Sequence, residues 1–118
     1  MSYDIYLLEP VGGQIVHFDE PHDLAGGTRV LGGTTEAWLN VTYNYSDILR
    51  RVLGQKGIRG LYGRTAGETI PQLRGAIGQL APDYSEDYWE PTEGNVKRAL
   101  LSLLALAERR PDAVWDGD

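Results

Sequence analysis

The chain has 118 residues, 42% of them apolar and 24% charged. That size and balance fit one globular domain, residues 1–118, with enough apolar side chains for a core, and exclude a wholly disordered protein. Cysteine is absent, which removes disulfides, thiolate metal sites and a cysteine nucleophile, and the net charge of −6 argues against sequence-specific binding of duplex DNA, which needs a broad basic face.

The opening MSYDIYLLEP has neither a basic n-region nor an apolar run and does not read as a signal peptide. The longest apolar run, residues 99–107, is far short of the ~20 residues that span a bilayer. A cytoplasmic protein without membrane contact is expected.

Tyr3, Ile5 and Leu7 alternate with Asp4, Tyr6 and Leu8, the period of a strand. Gly12-Gly13 offers a turn, and residues 14–18 read as the returning strand of a hairpin. The acidic segment from Asp19 to Gly27 reads as a loop, and residues 28–31 as a short strand between two glycine pairs. Residues 36–45 give the clearest strand, with Trp38, Asn40 and Thr42 on one face and Leu39, Val41 and Tyr43 on the other. Ser46 then suits a helix N-cap. Ile48, Leu49, Val52 and Leu53 form a stripe, and Gly54 suits the stop. A second helix is expected from about Thr69, with Pro71 in its first turn and Ile70, Leu73, Ile77 and Leu80 on one face. The last helix starts near Thr92 or Asn95 and runs to Arg109. Leu101, Leu104 and Leu106 carry its apolar surface most of the way round, as in a central helix or a subunit contact. Trp115 in the acidic tail is expected to dock back on the domain. Strands before helices predict an α+β fold: a small antiparallel sheet of three or four strands in the N-terminal half, covered by about three helices.

Five of the eleven bases and none of the seventeen acids fall in residues 48–67, a local charge of +5. Glycines recur there at 54, 57, 60 and 63. Glycine lets a backbone approach an anion and turn N–H groups towards it, and arginine grips phosphate with two bonds. Lys56, Arg59 and Arg64, with Gly60 and Gly63, are therefore candidates for holding an anionic, nucleotide-like small molecule, and Tyr62 for stacking on a base. The pattern is not a P-loop, and the bland alternative is that these cations pair with the protein's own acids. Trp38 and Asn40 on the polar strand face are candidates for lining a pocket or simply the outer surface of the sheet.

The segment 83–94 carries Asp83, Glu86, Asp87, Glu90 and Glu93 and no base. It reads as a solvated acidic turn, as a partner for the basic window, or as an acidic face that occupies a basic groove of another protein. Its spacing fits no EF-hand. His17 and His22 lie beside acids but follow no metal-binding motif. No nucleophile–base constellation emerges, so a non-catalytic protein without cofactor or metal is expected.

The blocks MSYDIYL, GGTTEAWLNVTYNYS, KGIRGLYGRTAGE, YWEPTEGN and RPDAVWDGD together resemble a family of small, mostly uncharacterised bacteriophage and prophage proteins. The resemblance runs almost end to end. It implies a phage accessory protein acting in the cytoplasm of the infected host and brings no catalytic residues. Proteins of that kind include inhibitors of host defence. Some sequester nucleotide messengers, usually as homo-oligomers, and others block a host or defence protein. A virion or packaging component is a further alternative.

Overall fold

Alternation sets the first strand: β1 (Ser2–Leu8) buries Tyr3, Ile5 and Leu7 and leaves Asp4, Tyr6 and Leu8 partly exposed. The computed structural model describes residues 1–24, 31–83 and 85–118. Along the chain follow β2 (His17–His22), β3 (Thr34–Glu36), β4 (Trp38–Thr42), α1 (Ser46–Leu53), α2 (Ala66–Gly78), α3 (Glu93–Arg109) and β5 (Val114–Gly117). Single 3₁₀ turns precede α1 (Tyr43–Tyr45) and α2 (Gly57–Leu61). The fold is α+β, with antiparallel sheets. One sheet has the order β4-β1-β5, and β2 and β3 form a second of two strands.

The sheet is not confined to the N-terminal half. The tail supplies β5, whose Trp115 pairs with Leu7 of β1. Four residues, VWDG, are too short and too polar to signal a strand, and only docking against β1 makes them one. The segment after Gly13 returns beside β1 for one bridge, Leu8 to Ile15, and the Val16 N–H donates to the Leu7 carbonyl at 2.9 Å. The acidic stretch at Asp19–His22, expected as a loop, is part of β2. Pro21 is accommodated because β2 is an edge strand with a bulge between its two paired residues, where no ladder N–H is required. Of the expected strand at 28–31, residues 28–30 lie outside the described residues, and Leu31 sits exposed in a turn.

Ile5, Leu7, Leu39, Val41 and Trp115 on one side of the sheet meet Leu49, Leu73, Val96, Leu100 and Leu103 from the helices in a single core. The stripe Val96, Ala99, Leu100, Leu103 and Ala107 is buried as its period predicts, and Leu106 joins it, but Leu101 remains 45% exposed. No helix among the described residues is long and apolar enough to cross a membrane.

Two helix starts differ from expectation. Ser46 is the first helical residue rather than the cap, and its hydroxyl donates to the Tyr43 carbonyl at 2.7 Å. α2 begins at Ala66, three residues early, because Thr65 is its cap and accepts the Glu68 N–H at 3.3 Å. Pro71 consequently falls beyond the first turn, where its missing N–H leaves the Gly67 carbonyl without the usual helical partner. Thr65→Ala should cost about 1 kcal/mol in urea unfolding; no change would show that the cap contributes nothing.

Candidate functional site

The basic, glycine-rich window is built as a seam. Gly54, Gly57 and Gly63 have φ of +104°, +58° and +82°, a backbone region that favours glycine. They turn the chain out of α1, through a 3₁₀ turn that buries Ile58 and Leu61, and onto the free edge of β5. There Gly63 N–H donates to Trp115 O (2.8 Å), Trp115 N–H to Arg64 O (3.0 Å), Ala66 N–H to Ala113 O (2.7 Å) and Gly67 N–H to Pro111 O (2.8 Å). The Gly63 amide expected to face an anion is thus bonded to β5. Gly60 lies in the 3₁₀ turn without a positive φ, and a Cβ there would make only an ordinary contact, 3.6 Å from Lys56.

The cations of the window are mostly engaged within the chain. Arg50 pairs with Asp47 at 2.7 Å, Arg51 with Glu93 at 3.0 Å and Arg64 with Glu68 at 3.1 Å, and Arg64 also donates to Gln72 at 2.6 Å. Arg59 lays its guanidinium over the rings of Tyr3 (5.0 Å) and Tyr43 (5.8 Å) and donates to the Asp118 main-chain oxygen (2.9 Å) and the Tyr43 hydroxyl (3.2 Å). Lys56 makes no ion pair or side-chain hydrogen bond among the described residues. Glu93, bonded by the Ala81 N–H and by Arg51, has its carboxyl held below the usual range. Its contribution to stability is therefore present at neutral pH and is lost as pH falls through the lowered value.

Tyr62 is half-buried. Its hydroxyl is buried with no hydrogen-bond partner among the described residues, and any Cβ at Gly117 would strike it. Burial pushes its phenol upward. Tyr62→Phe should leave the urea-unfolding free energy unchanged or raise it by up to about 1 kcal/mol, since it removes a hydroxyl that gains nothing by burial. A loss above about 1 kcal/mol would mean that the hydroxyl has a partner after all.

The acidic aromatic segment is clasped, not loose. Buried Asn95 accepts the Ser85 N–H (3.0 Å) and donates to the carbonyls of Asp87 (3.0 Å) and Glu90 (2.8 Å). This sets Tyr88 against the outer edge of β4, where its hydroxyl accepts the Thr42 N–H (2.9 Å) and donates to the Asn40 carbonyl (3.4 Å). Asn44 adds a bond to the Trp89 carbonyl at 2.9 Å. The segment thus covers a sheet edge that would otherwise offer unpaired backbone groups. Its bond to the basic window is the Arg51–Glu93 pair at the start of α3.

Trp38 and Asn40 do come together, on the sheet face turned away from the core. Trp38 Nε1–H and Asn40 Nδ2–H both donate to Asp4 Oδ1, at 3.1 and 3.0 Å. Tyr6 stands opposite Trp38 on one side and Asp116 on the other. Asp118 is tied to Asp4 by two bonds: the Asp4 N–H donates to its carboxylate (2.9 Å), and its own N–H donates to the Asp4 carbonyl (3.3 Å). Arg59 reaches this face only at its rim, through Asp118. Asp4 and Tyr6 were visible as the polar half of the β1 alternation, whereas Asp116 could not be placed before β5 was known.

His17 and His22 are both on β2. His17 Nδ1 meets the Thr35 hydroxyl at 2.9 Å. His22 is buried, with Nε2 donating to the Glu36 carbonyl at 2.6 Å and Nδ1 accepting the Leu24 N–H at 3.3 Å. No family model matches the chain, and neither a curated protein nor a solved structure does.

Proposed function

We propose that this is a non-catalytic binding protein whose working surface is the outer face of the sheet around Trp38, Asn40, Asp4, Tyr6 and Asp116, and that its partner is a protein. The observation that carries this reading is how the polar groups are distributed. The arginines and the Gly63 amide of the basic window have partners inside the chain, while the outer face sets two aromatic side chains, an amide and carboxylates side by side on a hydrogen-bonded sheet. Aromatic side chains held on a rigid frame are what protein interfaces favour. The resemblance to small phage and prophage proteins supplies the setting: a host or host-defence protein as target, and the bacterial cytoplasm as the place. A second reading, sequestration of a nucleotide-like anion by an oligomer, is favoured by Lys56, which lacks a partner among the described residues, and by the exposure of the arginine pairs, which are worth at most about 1 kcal/mol each.

A photo-crosslinking amino acid in place of Tyr6, and separately in place of Lys56, tests the choice in bacterial cells producing the protein. A discrete adduct with another protein from position 6 and none from position 56 is expected. Adducts from position 56 alone would overturn the assignment.

A further inference from the structure

Resting on the outer sheet face as the working surface, we infer that this face accepts an arginine side chain carried by a basic segment of the partner protein. Directly opposite residues of an antiparallel sheet share a face with Cβ atoms about 4.5–5.5 Å apart. Trp38, Tyr6 and Asp116 therefore form one row across three strands, and Asn40 and Asp4 form the next, with Asp118 bonded beside Asp4. The donors in these rows are largely engaged already: the Trp38 indole N–H and one Asn40 N–H both end on a single oxygen of Asp4. What the face still offers is mainly acceptors. These are the second oxygen of Asp4, the side-chain carbonyl of Asn40 and the second oxygen of Asp116, whose first oxygen takes the Gly117 N–H at 2.8 Å.

A phosphate or carboxylate would meet three aspartates there. A guanidinium brings five N–H donors in a plane, a fixed positive charge and a flat surface that stacks on aromatic rings, so it matches both the acceptors and the rings. A lysine ammonium supplies the charge without the plane. The chain already holds one guanidinium over tyrosine rings, off this face: Arg59 lies over Tyr3 and Tyr43, Tyr3 being on the core side of β1, and donates to the Asp118 main-chain oxygen. Charge complementarity and the two rings of the face select arginine within a protein segment as the occupant.

The test is a titration of ¹⁵N-labelled full-length protein, at physiological salt, with a synthetic peptide of alternating arginine and glycine and with its lysine counterpart. The arginine peptide should move the Trp38 indole resonance and the amides of Asp4, Tyr6 and Asp116, and leave the Trp89 indole in place. Asp116→Asn, which keeps shape and removes charge, should weaken binding at least about fivefold. Asp19→Asn, an equal charge change on β2, should stay within about twofold. Four results would each overturn the inference: equal binding of the lysine peptide, equal loss in Asp19→Asn, shifts spread over every acidic segment, or no binding. A crosslinked partner at position 6 that lacks a basic segment would sink the inference alone and leave the assignment of the surface standing.

Discussion

Trp115→Ala is expected to lower the unfolding free energy by about 3–5 kcal/mol, measured by urea denaturation. Domains of this size have only about 5–15 kcal/mol in total, so the variant should be close to unfolding at 37 °C. Trp115 heads the largest fully buried side chains, and its Nε1–H donates to the Thr69 hydroxyl at 2.9 Å. That hydroxyl in turn donates a hydrogen bond to the Ala66 carbonyl at 2.7 Å, tying β5 to the first turn of α2. Truncation opens a cavity between sheet and helices and removes one of the two bonds of a buried hydroxyl. The seam should loosen with it: amide exchange should accelerate at Gly63, Ala66 and Gly67, whose N–H groups end on residues 115, 113 and 111. A cost below 1 kcal/mol, or unchanged protection at those three amides, would show that the tail is not what secures the window.

Asn95→Ala should cost about 1–3 kcal/mol, because one buried side chain bonds three backbone groups: the Ser85 N–H loses its partner, while the Asp87 and Glu90 carbonyls keep only the Glu90 and Thr92 N–H groups. It should also release Tyr88 from β4 and leave the Thr42 N–H and Asn40 carbonyl unpaired on an open edge. The expected signature is therefore double: a lower urea midpoint, and concentration-dependent association of the folded variant through that edge. Analytical ultracentrifugation at two concentrations checks the second part. A variant that loses stability but sediments as the native protein does would show that the edge is guarded by something other than the 85–90 segment.

Much of the fold was legible because the elements that form the core have clean periods. The alternation of Tyr3, Ile5 and Leu7 and the stripe from Val96 to Ala107 bury as written. What was not legible depends on distant partners. β5 has too few residues to show a pattern and is a strand only because Leu7 faces Trp115. The true start of α2 was readable in Thr65 and Glu68, three apart, but Thr65 lies inside the cationic window and Glu68 just beyond it, so the cap straddles its end. In that window glycine and charge have separate causes. Gly54, Gly57 and Gly63 serve turns, and Gly67 serves close approach, since a Cβ there would lie 3.0 Å from the Pro111 carbonyl, while Arg50, Arg51 and Arg64 form ion pairs and Arg59 lies over Tyr3 and Tyr43. Trp38 and Asn40 were correctly grouped, but their common acceptor, Asp4, follows from a strand register that no local pattern specifies.

The central claim is that the cationic window secures β5 while the outer sheet face does the binding. The most direct test is thermal unfolding of the purified protein with cyclic di- and trinucleotides, ADP-ribose derivatives and ordinary nucleotides. A ligand present at 100 times its Kd adds about 2.7 kcal/mol of stability, an easily seen rise in Tm. The account predicts no rise with any of them. A rise with one class, abolished by Lys56→Ala or Arg59→Ala in a variant that still folds, would contradict it and make the window the ligand site.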